Sequence, residues 1–319
     1  MTVEPGGFEA LALDIARFQY RNNTLYRQYC HLVGRLPDQA GDLAHLAFLP
    51  IQFFKQTLVS SNAQSPAIVF ESSTTTGARP SRHGLWEPEL YAKNARRGFE
   101  VATGQRVEDL TWLALLPSYL ERPHASLVYM MRDFVARGQP GSGFFLDDFN
   151  ALAGALRSCE ERKQPAVLLG VSFALLDFAQ AFPMSLQSTM IVETGGMKGR
   201  REEMTRATLH ATLQRAFGVR RIGSEYGMTE MLSQAWSAGG GRFQCAPTLR
   251  VMTREIQDPL ELCVGRRGAL NCIDLANIDS CSFIATDDTG LVHEDGTFEM
   301  FGRLDGSEQR GCNLMVIAG

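Results

Sequence analysis

Five hydroxyl residues in a row precede a glycine at Ser72-Ser73-Thr74-Thr75-Thr76-Gly77. Such hydroxyls and the backbone N–H groups around them can hold an anion, and Gly77 permits the close turn a cradle needs. The lysine and second glycine of a P-loop are absent, so this is a different loop. A second cluster, Gly223-Ser-Glu-Tyr226-Gly227-Met-Thr229-Glu230, combines a ring, a tight glycine, a hydroxyl and a carboxylate. The ring can stack on a purine, Thr229 can donate to a phosphate, and Glu230 can hold Mg²⁺ through oxygen. In a third, Thr286-Asp-Asp288-Thr-Gly290, with Asp295-Gly296 and Gly302-Arg303-Leu-Asp305, carboxylates suited to ribose hydroxyls stand near an arginine. Each also has a plainer reading, since hydroxyl clusters occur as solvated loops and Asp-Gly pairs as hairpin turns.

Positioning these groups needs a scaffold, and the hydrophobic pattern outlines one. Residues 8 to about 54 show helical spacing broken at Asn22-Asn23 and Pro37-Asp38, and 51–59 reads as a connector or short helix. Residues 67–70 form a compact apolar run that ends in the hydroxyl-rich loop. Segments 112–116, 166–170, 185–192 and 220–226 read as strands, and 147–157, 172–182 and 202–217 as helices. Such alternation predicts an α/β fold, a mostly parallel sheet flanked by helices. After Gly239-Gly-Gly241, short pieces at 249–252, 260–264, 269–273, 282–285 and 297–300 predict a small antiparallel β subdomain. The expected domains are a helical region at 1–65, an α/β nucleotide-binding core at 66–240, a β-rich subdomain at 241–305 and a short tail at 306–319.

Composition narrows the class of function. The chain has 319 residues, 45% apolar, and a formal net charge of −4. That balance gives no electrostatic drive toward nucleic acid or anionic membrane. Seven cysteines at 30, 159, 245, 263, 272, 281 and 312 form no CxxC pair, so reduced thiols are expected. The N-terminal residues lack the basic and apolar regions of a secretory signal, and no stretch is long enough to span a membrane. The expectation is a cytoplasmic protein without membrane insertion.

In order, Phe70-Glu-Ser72-Ser-Thr-Thr-Thr-Gly77, Thr194-Gly195-Gly196, Tyr226-Gly-Met-Thr-Glu230, Thr286-Asp-Asp288 and Gly302-Arg303 resemble the core motifs of the adenylate-forming superfamily. That superfamily includes acyl-CoA synthetases, peptide-synthetase adenylation domains and luciferases. More narrowly, Phe53-Phe-Lys55, Ser118-Tyr-Leu-Glu-Arg122, Ser126-Leu-Val-Tyr-Met130, Gly195-Gly-Met-Lys198-Gly and Arg310-Gly-Cys312-Asn-Leu314 resemble the acyl-protein synthetases of bacterial bioluminescence, long-chain-fatty-acid ligases. The resemblance runs from about residue 50 onward. It implies the superfamily's large N-terminal domain, without the mobile C-terminal domain and its lysine. It implies ATP and Mg²⁺ as cofactors, with Ser72, Ser73, Thr74, Thr75, Thr76 and Gly77 around the phosphates and Gly195, Gly196, Tyr226 and Gly227 around adenine. Thr229 would contact the α-phosphate, Glu230 the metal, and Asp288 with Arg303 the ribose. Three departures stand out: Ser-Thr-Thr-Thr-Gly replaces Ser-Gly-Thr-Thr-Gly, Pro80-Ser81-Arg82 replaces a Pro-Lys, and the segment after Asp305 is one residue short.

Adenylation without that lysine would need another cation, and Lys198, beside the adenine-bordering glycines, is the candidate against a plain surface role. Cys312 is the candidate acyl acceptor, since a thiolate attacks a mixed anhydride readily and Arg310 favours the thiolate. His83 either faces the ligand or sits half-exposed in a loop; His124 is a candidate gate for the acyl pocket. Trp86, Tyr119, Met130 and Met131 read as core or pocket wall. The expected activity is ATP-dependent activation of a carboxylic, by resemblance fatty, acid with transfer to Cys312 and then to a partner such as an acyl reductase. Two rivals stay open: delivery to coenzyme A or an acyl carrier protein, and a non-catalytic scaffold that keeps the nucleotide fold.

Overall fold

The computed structural model describes residues 7–72, 79–117, 124–195 and 204–304. They divide into two compact units. The first takes in residues up to 94, 228–233 and those from 244 onward; the second is 95–227 with 234–243. The N-terminal helices and the C-terminal strands therefore belong to one unit.

In the second unit, Gly143–Phe144, Thr111–Leu115, Ala166–Gly170, Thr189–Glu193 and Gly223–Tyr226 pair in that order, all parallel. Ala235–Ser237 pairs antiparallel with the last of them. Every residue of Thr111–Leu115 and Ala166–Gly170 is buried, as expected for parallel strands covered on both faces. Helices Ser126–Arg137, Phe149–Glu161, Ser172–Ala181 and Arg206–Phe217 alternate with these strands. The Arg206–Phe217 helix starts where the Thr205 side chain caps Thr208 N, later than its apolar spacing predicts, and buries Leu209, Leu213 and Phe217. Phe99, Trp112, Phe134 and Trp236 form one aromatic cluster, with ring centroids 4.8–6.3 Å apart.

The first unit opens with helices Gly7–Asn22 and Thr24–Val33. Between them Asn23 caps the second helix by accepting from Tyr26 N, and its amide donates to Ser280 O. Strands Leu249–Arg254, Gly268–Asp274, Phe283–Val292 and Phe298–Arg303 form an antiparallel sheet. Leu49–Pro50 joins Phe283–Val292 in parallel. Ile68–Glu71 pairs with Arg82–Leu85, so the hydroxyl-rich segment connects the two arms of a hairpin.

Several expectations change here. Residues 260–264 make a single bridge, Leu262 to Arg254, rather than a strand, and Val264 is 90% exposed. Phe283–Val292 continues through Thr286-Asp-Asp-Thr-Gly290, with a register shift against each neighbouring strand there. Ladder bonds to strands on both sides outweigh the turn preference of those residues. Helices Pro88–Thr103 and Ser126–Arg137 and the strand Arg82–Leu85 were not anticipated. Met130 and Met131 are core residues, Trp86 is half-buried and His124 is exposed, while Tyr119 lies outside the described residues. Among the described residues no helix is long and apolar enough to cross a membrane. Of the six described cysteines, all free thiols, five are buried and Cys245 is half-buried.

Candidate functional site

In the first unit the hairpin is closed at the base of its loop. Ser72 N donates to Ser81 O at 3.0 Å, and Ser81 N donates to Ser72 Oγ at 2.9 Å. Ser73, Thr74, Thr75, Thr76 and Gly77 lie outside the described residues. Ser81 lies close enough to the Glu230 carboxylate to lower its pKa. Glu230 is buried. Burial raises its pKa above the ordinary carboxylate value, opposed by Ser81, a backbone N–H, and the charges of Arg303 and Lys55. The loop base and Glu230 are thus neighbours.

The segment carrying Thr229 and Glu230 lies between strands and takes its partners from side chains. His83 Nδ1 is 2.8 Å from Thr229 O, and Asn277 Nδ2 donates to Glu230 O at 2.8 Å. Just downstream, Asp274 accepts from Leu232 N at 2.7 Å, Ser233 N at 3.0 Å and the Ser233 hydroxyl. Asn94 Nδ2 donates to Leu232 O at 2.9 Å. Four buried polar side chains therefore shape five residues of chain. His83 is a buried strand residue with both nitrogens packed against protein oxygens, so it is neither ligand-facing nor a half-exposed loop histidine.

Strand register brings the last pair together. Asp288 and Arg303 are cross-strand partners, and Arg303 Nε lies 3.4 Å from Asp288 Oδ1. Asp288 is buried while Arg303 is 61% exposed, so the guanidinium remains available to a ligand. Gln52 donates to the neighbouring Asp287, fixing the helical turn Phe53–Gln56 that carries Lys55. No cluster of three metal-ligating side chains occurs among the described residues. Glu230 still fits a magnesium ion held by one protein carboxylate, with phosphate and water oxygens completing its shell.

The second unit carries Gly195, Tyr226 and Gly227. Gly195 has φ +48°, its N–H donates to Glu193 at 3.0 Å, and its carbonyl accepts from Ser172 N at 2.9 Å. Burial raises the Glu193 pKa, but His210, Arg206, Ser224 and the Gly195 N–H outweigh it and hold the group at about 2. Thr194 donates to Glu225, which burial pushes up to about 7, with the Thr194 bond lowering it and Glu193 raising it. A Cβ at Gly227 would fall on the Glu225 carboxylate, which explains the glycine there. The Tyr226 ring is 5% exposed and packs edge-on against Phe243, centroids 5.9 Å apart. Gly196, Lys198 and Cys312 lie outside the described residues.

The fold has known counterparts. A 2-hydroxyisobutyryl-CoA ligase, in an open conformation with 2-HIB-AMP and CoA, superposes with TM-score 0.65 at 13% identity, over 93% of this chain and 69% of the ligase. The same ligase in the postadenylation state with R3-HIB-AMP gives 0.65 at 12% identity, over 97% and 72%. ATP-bound MatB from Rhodopseudomonas palustris gives 0.55 at 19% identity, over 76% of this chain and 49% of MatB. By sequence, the chain matches no family model and no curated protein. The chain has the fold of the large N-terminal domain of adenylate-forming ligases.

Proposed function

We propose that this chain activates a carboxylic acid as its acyl-adenylate, with Mg-ATP, and transfers the acyl group to a thiol. A carboxylate oxygen attacks the α-phosphorus, pyrophosphate leaves, and a thiolate then attacks the acyl carbon and releases AMP. The observation that carries this reading is the Ser72–Ser81 closure of the loop base beside the buried Glu230, under the charges of Lys55 and Arg303, in a fold shared with ligases that hold acyl-AMP.

Magnesium, when bound, would neutralise charge on the phosphate oxygens. Glu230 would hold it, and Thr229 would donate to the α-phosphate. The Ser72–Gly77 loop would cradle the leaving pyrophosphate, and Asp288 with Arg303 would hold the ribose. The first unit thus carries the groups assigned to phosphate, metal and ribose; Gly195, Gly196, Tyr226 and Gly227 are assigned to the purine. Lys198 supplies a further cation. Cys312 is the acceptor thiol, passing the acyl group to a partner such as an acyl reductase. A second reading, delivery to coenzyme A, is favoured by the CoA held in the ligase complex.

The test is carboxylate-dependent ATP–pyrophosphate exchange by the purified chain with a panel of acids. Exchange is expected, falling about 10²-fold or more in Glu230→Gln. Absence of exchange with every acid would favour the scaffold role.

A further inference from the structure

We infer that His83 and Asn277 act together as positioning residues, clamping the peptide that joins Thr229 to Glu230. The functional meaning of this clamp rests on the reading above, in which those two side chains face phosphate and metal. Residues 227–234 have no strand partner, so the carbonyls of Thr229 and Glu230 need donors from elsewhere. Each receives one. His83, from the strand Arg82–Leu85, reaches Thr229 O at 2.8 Å; Asn277, just after the strand Gly268–Asp274, reaches Glu230 O at 2.8 Å. The two side chains also touch each other, His83 Nε2 to Asn277 Oδ1, at 2.8 Å. Both are fully buried, and Phe54 packs edge-on against the imidazole.

Proton counting specifies the state of this network. A carbonyl can only accept, so His83 Nδ1 and Asn277 Nδ2 must both donate. Asn277 Oδ1 then faces Nε2, and that contact needs a proton that a neutral ring, with its single N–H, does not have. Turning the amide over only moves the deficit to the Glu230 carbonyl. Burial, outweighing the bonds to Asn277 and Thr229, pushes His83 down to about 4, so the ring is neutral near pH 7. The clamp therefore holds Thr229 through the Nδ1–H tautomer, and the 2.8 Å contact between Nε2 and Asn277 Oδ1 carries no hydrogen bond. A glutamine at 83 offers the same pair, one donor and one acceptor; a leucine offers neither.

Exchange kinetics of wild type, His83→Leu, His83→Gln and Asn277→Leu test this, with thermal unfolding recorded for each. Both leucine variants should lose about 10²-fold in kcat, the scale of a misplaced catalytic group, with KM for ATP little changed and more Mg²⁺ needed for half-activity. His83→Gln should recover at least a tenth of wild-type kcat, about a tenfold rescue. Folded leucine variants with wild-type kcat would overturn the clamp, as would a loss that tracks Tm and is not rescued by glutamine. Long-range ¹⁵N–¹H spectra of the wild-type ring provide a readout independent of turnover and of how the variants fold. The clamp requires a protonated Nδ1, a bare Nε2 and no titration between about pH 5.5 and 8. An Nε2–H tautomer, or titration at the ordinary histidine value, would refute it. A wild type without exchange but with the Nδ1–H spectrum would instead overturn the proposed function.

Discussion

Two buried titratable residues oppose each other in their effect on stability. His83 falls from 6.5 to about 4, so its neutral form stabilises the fold above pH 6.5, and that contribution is lost as pH falls toward 4. Glu225 rises from 4.5 to about 7, so its protonated form stabilises the fold below pH 4.5, and that contribution is lost as pH rises through 7. Each is worth on the order of 3 kcal/mol at its limit. Between pH 4.5 and 6.5 the two slopes cancel. Glu225→Gln should therefore unmask the histidine: Tm measured across that interval should climb with pH in the variant and stay flatter in the parent. A variant profile parallel to wild type would show that Glu225 is already ionised.

At the scale of elements, one aromatic cluster of the second unit packs a helix against its sheet. Phe99 lies 4.9 Å from Trp112 and 5.2 Å from Trp236 and is fully buried. It therefore joins the Pro88–Thr103 helix to two strands. Phe99→Ala should cost about 3–5 kcal/mol in urea unfolding, while Phe99→Leu should cost distinctly less, because leucine refills most of the volume. Equal losses would mean ring geometry, rather than volume, sets the packing. That helix reveals itself through the spacing of Tyr91, Ala95 and Phe99, an i, i+4, i+8 stripe available in sequence but broken up by Lys93, Asn94, Arg96 and Arg97.

For the whole molecule, what distinguishes the proposed ligase from its rivals is the acceptor thiol. The buried thiols of Cys30 and Cys281 are pushed up to about 12 by desolvation, which leaves them protonated and unreactive at neutral pH. Intact mass after incubation with Mg-ATP and a matching acid should rise by one acyl group located on the peptide holding Cys312. Cys312→Ala should abolish the adduct and leave pyrophosphate exchange intact. Exchange without any adduct, and acyl transfer to added coenzyme A, would select the CoA reading instead.

Sequence by itself determined the alternation of strands and helices, the break at Asn22-Asn23 and the parallel run of Ala166–Gly170, because apolar spacing and capping residues are local signals. It also marked Tyr226 to Glu230, Asp288 and Arg303 as chemistry-bearing. What holds them was decided by tertiary structure alone. Asn94, Asp274 and Asn277 sit in no motif, and the partners named above are 41 to 194 residues away along the chain. A buried amide or carboxylate is identified by the backbone groups it satisfies, and those are known only once separate strands have been brought side by side. The pairing of Asp288 with Arg303 has the same origin, since strand register is a property of the sheet.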